Sequence, residues 1–140
     1  MRKTVLLLAL AATAALAVGI ASAAPVKTYT VHLKGSAETP KGSPTGKGTF
    51  RFQLFPSAGK LCYSLTWSGI GTPTAAHVHK GKPGVAGNVV IVLSGTPPVA
   101  HSGCVKASMA VLKAIAKNLP AYYVNVHTVK YPGGAIRAQL

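Results

Sequence analysis

Histidine is the residue through which this sequence could do chemistry, and three of its five histidines fall in a usable pattern. His77 and His79 sit two apart in Ala76-His77-Val78-His79-Lys80. In a strand, side chains alternate, so both rings project from one face, about 6–7 Å apart along the chain. Two such imidazoles can share one small cation at about 2.0–2.1 Å each. Tyr123, Asn125 and His127 form a similar same-face row further on. If the two segments are neighbouring strands, three imidazoles converge. A site made of His77, His79 and His127 alone suits copper or zinc rather than calcium or magnesium. Three neutral ligands leave the ion its full charge and an open position, for a water of lowered pKa or, with copper, for redox chemistry. The plainer alternative is that these rings bond backbone or fill an amphipathic rim, since no acid stands by to orient them. His32 and His101 lack such spacing and read as surface residues.

The elements that must position this set are strands. Lys27 to Lys34 alternates, with Tyr29, Val31 and Leu33 on one face. Gly35 to Gly48, which holds Pro40, Gly42, Pro44 and Gly46, reads as a loop. Thr49 to Phe55 and Lys60 to Ser68 alternate again around a Pro56-Ser57-Ala58-Gly59 turn, which predicts a hairpin. In that register Leu61, Tyr63, Leu65 and Trp67 share a face and Cys62 lies opposite. Thr74 to Lys80 carries the first two histidines, and Gly81 to Gly87 is a glycine-rich turn. The apolar run in Asn88 to Ser94 predicts a strand buried on both faces. Ser108 caps a helix with Met109, Leu112, Ile115, Ala116 and Leu119 on one side, ended by Pro120. Ala121 to Thr128 and Ala135 to Leu140 are the last strands. The sum is an all-β, antiparallel Greek-key sandwich or barrel of about seven to eight strands with one short crossover helix.

Charge excludes more than it suggests. The 140 residues carry 15 Lys and Arg against one acid, Glu38, for a formal charge of +14. Without two carboxylates there is no glycosidase or aspartic-protease pair. Carboxylate-built calcium and magnesium sites go the same way. No catalytic residue is assigned, and the expectation is a protein that is not an enzyme. The lysines are dispersed and no aromatic platform interleaves them, so nucleic acid is not an expected partner. An extracellular protein or an anionic polymer is, the latter through weak, salt-sensitive attraction.

The first residues read as an address. Arg2 and Lys3 precede an apolar run from Val5 to about Val18, and Ala21-Ser22-Ala23 follows. These are the three parts of a secretory signal peptide, with cleavage after Ala23. The run is short for a membrane span. Residues 1–23 are thus a leader and 24–140 a single exported domain, secreted or held at the cell envelope, with no transmembrane span in the mature form. Export makes Cys62 and Cys104, 42 positions apart, an expected disulfide.

The blocks also resemble a known family. Leu33-Lys34-Gly35-Ser36-Ala37-Glu38-Thr39-Pro40, Gly46-Lys47-Gly48-Thr49-Phe50 and Leu61-Cys62-Tyr63-Ser64-Leu65 come first. Ala76 to Gly81, Gly103-Cys104, Tyr123 to Thr128 and Gly134 to Leu140 follow. Their order and spacing, from about Tyr29 to Leu140, are similar to the CHRD domain, the chordin-type module also found in secreted bacterial proteins. The resemblance implies an extracellular all-β domain and carries no enzyme activity. It places the lone acid, Glu38, in a family block, which suggests a structural role: pairing with Arg137 or capping a backbone turn. Separately, His77-Val78-His79 before a glycine-rich turn looks like the metal-binding strand of copper/zinc superoxide dismutases, although that enzyme's zinc-side carboxylate has no counterpart here.

Overall fold

A computed structural model describes residues 25–140; the leader reading at 1–23 lies outside the described residues. Eight strands form one antiparallel sheet: β1 (Thr28–Lys34), β2 (Lys47–Phe55), β3 (Lys60–Ser68), β4 (Pro73–Lys80), β5 (Val89–Ser94), β6 (Ser102–Lys106), β7 (Tyr122–Thr128) and β8 (Ile136–Gln139). The order across the sheet is β5-β4-β7-β8-β1-β2-β3-β6. The sheet rolls into a nearly closed barrel, bringing its edge strands β5 and β6 close without a ladder between them. Tyr63 on β3 spans this gap, its hydroxyl donating to the Leu93 carbonyl at 3.0 Å. β4, β5 and β6 follow one another round the wall, and β7 returns to lie beside β4, the Greek-key order.

The alternation read from the sequence builds the wall. Leu33, Phe50, Phe52, Leu61, Leu65, Val78, Val124, Val126 and Ile136 point inward and are essentially inaccessible. The helix α1 (Met109–Lys117) is capped by the Ser108 hydroxyl, which accepts from Val111 N at 3.2 Å. It buries Leu112 and Ile115 against the β2–β3 turn and so covers one end of the barrel. Met109 and Ala116, expected on the same face, are exposed, because a nine-residue helix lying on a barrel end has only a narrow buried stripe.

Two further expectations change. β5 was predicted to be buried on both faces, yet it alternates: Ile91 and Leu93 are buried while Val89 and Val92 are about half exposed, at 45% and 53%. A barrel wall has an outside, and no second layer covers β5 there. β6 was not anticipated. Its Ser-Gly-Cys-Val-Lys carries almost no apolar face, and it forms by pairing with β3, where Cys62 stands directly opposite Cys104. Those two cysteines form the expected disulfide, in keeping with an oxidising compartment outside the cytoplasm. Among the described residues no helix is long and apolar enough to cross a membrane.

Candidate metal centre

β4 and β7 pair as the histidine spacing requires. His79 lies opposite Tyr123, His77 opposite Asn125, and His127 opposite Ala75, one diagonal step from His77. Ala76, Val78, Val124 and Val126 take the inner face, which forces the histidines outward. Register shifts between β4 and β5 immediately precede both His77 and His79; such bulges re-aim side chains next to functional sites. The result is one cluster. His77, His79 and His127 each offer a ligand atom, all within 4.8 Å of one another.

Backbone carbonyls orient two of the rings. His79 Nδ1–H donates to the Gly87 carbonyl at 2.8 Å, and His127 Nδ1–H donates to the Pro132 carbonyl at 2.9 Å. A carbonyl only accepts, so in both rings the proton sits on Nδ1 and the lone pair on Nε2. His77 Nδ1–H then donates to His127 Nε2 at 3.1 Å. His79 Nε2 is buried and has no hydrogen-bond partner. The orienting groups that side-chain chemistry could not supply are therefore main-chain oxygens, a recognised alternative to carboxylates around ligating histidines.

Charge is kept off the cluster. Burial, then the neighbouring His127 and His79, lower the pKa of His77 to about 4. Burial also lowers His127, against the opposing effect of its Pro132 hydrogen bond, with His79 lowering it further. Both are neutral near pH 7, the form that binds an ion, although the His127 Nε2 lone pair accepts from His77 Nδ1–H until an ion displaces that bond. Three nitrogens at 2.0–2.1 Å from a common ion stand roughly 3.3–3.6 Å apart. The 3.1 Å between His77 Nδ1 and His127 Nε2 is an N–H···N hydrogen bond, so an ion that takes both rings displaces that proton or engages His77 through Nε2; from a spread of up to 4.8 Å the ligand atoms close by shifts on the order of 1 Å.

A polar layer behind the cluster holds the loop that supplies the Gly87 carbonyl. Tyr123 stacks on His79, with centroids 4.7 Å apart and planes at 8°. The Arg137 guanidinium lies 3.3 Å from the Tyr123 ring centroid. Arg137 donates to Val85 O at 3.0 Å, Lys82 O at 2.9 Å and Gln139 Oε1 at 3.4 Å. Gln139 Nε2 donates to Gly81 O and Pro120 O at 2.6 and 2.9 Å. Gly87 N donates to the Tyr123 hydroxyl at 3.1 Å. Any side chain at Gly87 would collide with the Lys80 carbonyl, its Cβ falling 1.7 Å from that oxygen. Of this layer the sequence singled out Arg137, with Glu38 beside it, and Tyr123 in the row it shares with His127. The parity of Arg137 and Gln139 in β8 was the available signal for the rest.

Glu38 is buried beside the same layer. Arg137 spends its donors on the loop, so its influence on Glu38 is a field and not a hydrogen bond. Desolvation pushes the Glu38 carboxyl up to about 7, opposed by Arg137, the Asn125 side chain and the Thr39 backbone. The carboxyl rests on Gly134, whose φ is +138° and where a Cβ would sit 2.1 Å from Glu38 Oε1. An acid whose pKa is raised by folding favours the folded state fully below its unfolded value of 4.5, and this is lost as pH rises through about 7. Glu38→Gln removes that loss. Relative to the parent, the variant is expected to gain on the order of 2 kcal/mol between pH 4.5 and 8, after discounting for partial solvation. Thermal melts across that range check it, and a constant difference would remove the carboxyl from the ledger of this site.

The other two histidines stay apart from the cluster. His32 is exposed, its Nδ1 3.3 Å from Thr49 Oγ1. His101 is exposed too, but not idle: it stacks on Trp67 at 4.0 Å and its Nδ1–H donates to Leu65 O at 3.0 Å.

Comparison with curated proteins and with solved structures finds no match. The model of the CHRD domain matches residues 29–140. By that match, which spans every strand from β1 to β8 and both halves of the histidine cluster, the chain belongs to the CHRD domain family.

Proposed function

We propose that this CHRD protein is an exported, non-enzymatic binding domain whose ligand is a copper or zinc ion held by His77, His79 and His127. One observation carries the reading: two of the three rings commit Nδ1–H to main-chain carbonyls and turn Nε2 into one half-buried cluster with His77, where His79 Nε2 is buried without a partner and His127 Nε2 is held only by His77. Buried neutral imidazoles grouped without a cation waste desolvation, whereas an ion of the imidazole-preferring kind uses all three. Export rests on the leader pattern at 1–23 and on the disulfide. The likeness of the His77-Val78-His79 strand to superoxide dismutases stops at the donors. Glu38, the chain's single acid, is not in the cluster, and no acid–base partner for turnover is at hand, so the proposal is retention of the ion and not catalysis.

The test uses untagged, disulfide-intact protein stripped with EDTA and titrated with Cu(II) and Zn(II) by calorimetry. One ion per chain is expected. His77→Ala and His127→Ala are each expected to weaken binding by about 100-fold or more, beyond the range seen for outer-shell changes, while His32→Ala leaves it unchanged. Parent protein that takes up no more of either ion than His77→Ala overturns the proposal.

A further inference from the structure

The outer face of β1, β2 and β3, away from the histidine cluster, has an unusual charge arrangement. Lys34 on β1 stands directly opposite Lys47 on β2. Like charges directly opposite across strands destabilise a sheet. Elsewhere a carboxylate would relieve them, but Glu38 is the chain's only acid and it is buried. Arg51 projects from the same face two rows further along, and His32 lies between. All three cations are exposed. The positions between and beside them are hydroxylic: Thr30 and Ser64 flank Arg51, Thr49 and Thr66 continue the His32 row, and Ser68 ends the Lys47 row.

This face is shaped as well as charged. A groove of about 490 Å³ lies over the lysine end, walled by Lys34, Lys47, His32, Thr49, Thr66 and Ser68. A second, of about 260 Å³, lies over the Arg51 end with Thr28, Gln53 and Ser64. Tyr29, Phe50, Phe52, Tyr63 and Trp67 pack toward the core, with Trp67 also edging the larger groove, while Phe55 ends the outer row of β2 beneath the Lys60 ammonium, 5.2 Å from its ring centroid. Among the described residues the face thus offers cations and hydroxyl groups, with its rings, His32 and Phe55, set three rows apart and not in a continuous row.

We infer that this face is a binding strip for an acidic polysaccharide, whose carboxylates settle between Lys34 and Lys47 and beside Arg51 and whose hydroxyls meet the Thr and Ser rows. An anion between Lys34 and Lys47 turns a repulsive pair into a chelating one. Single-stranded nucleic acid stacks successive bases on closely spaced rings, and the rings of this face, His32 and Phe55, stand three rows apart; neutral glycans leave the cations unanswered. The strip is independent of the metal centre, since it lies on different strands and shares no residue with it.

The test uses disulfide-intact, EDTA-treated protein, so that metal binding plays no part. Polygalacturonate is the probe, with dextran and single-stranded DNA as comparators, at about 0.1 M salt, where long-range attraction is already screened beyond roughly 10 Å. Lys34→Ala/Lys47→Ala is compared with Lys113→Ala/Lys117→Ala, an equal charge change on the exposed side of α1. The face variant is expected to bind polygalacturonate roughly tenfold more weakly, the loss of two exposed ion pairs, with the helix variant within about twofold of the parent. Melting temperatures confirm that both variants are folded. Equal losses in the two variants would reduce the effect to net charge and overturn the strip. Equal or tighter binding of DNA would overturn its assignment to polysaccharide.

Discussion

Arg137→Met is expected to lower folding stability by roughly 3–4 kcal/mol, the range for removing one member of a buried, hydrogen-bonded charge system. Arg137 is 2% exposed. Its removal strands the Val85 carbonyl and takes one of two donors from the Lys82 carbonyl, which keeps Val85 N–H, both carbonyls lying in the 81–88 loop. It also takes a cation off the Tyr123 ring. Methionine fills much of the volume, so the loss is polar and not a cavity effect. Glu38 loses the positive charge that opposes its desolvation, so its carboxyl is driven still further above the ordinary range. Urea unfolding at pH 7 measures the change. A second readout separates support of the loop from bulk stability: with Gly87 O less firmly held, His79 loses its orientation, and affinity for copper or zinc should fall by about 10-fold or more. A stability change under about 1 kcal/mol would mean that the loop stands without the guanidinium.

The other large effect concerns Cys62→Ser/Cys104→Ser. The bridge joins residues 42 apart, and closing a loop of that length limits the unfolded chain by roughly 4 kcal/mol in the chain-entropy model, often less in practice. A decrease of roughly 10–20 °C in melting temperature is the expected result for a domain of this size. The local consequence is sharper. β6 has few apolar contacts of its own, with only Val105 partly buried among its residues. Hydrogen exchange should therefore rise first in Ser102–Lys106, while β4 and β7 stay protected and the metal centre keeps its affinity. Uniform loss of protection would show that the bridge serves the whole barrel and not one edge.

Most of the wall was legible because alternation is a direct imprint of a one-sided sheet. β1, β2, β3, β4, β7 and β8 all carry it, whereas the pairing of β4 with β7 was only a condition for the histidine cluster until the fold supplied it. What escaped has physical reasons. β6 has no hydrophobic signature, since its partner and its disulfide are both remote in sequence. Val89 to Leu93 resembles a doubly buried strand because Val suits any pleated surface, covered or not. The orienting carbonyls of Gly87 and Pro132 belong to loops, and a carbonyl is the same in every residue. The sequence therefore showed the ligands but not what aims them. Glu38 was conspicuous as the only acid; its seat on Gly134 needs the β7–β8 turn to fold back onto the 35–46 loop.

One feature of the barrel reaches beyond its interior. β5 and β6 approach without a shared ladder, so each retains a rim of unspent amide and carbonyl groups, and Val89 and Val92 lie exposed beside one of them. Foreign chains extend a sheet from such rims. Here the rims confront each other, and the Tyr63 hydroxyl clasps one side to the other. An intruding segment would have to prise them apart before it found a partner. The wall guards itself by proximity, with no final zip needed.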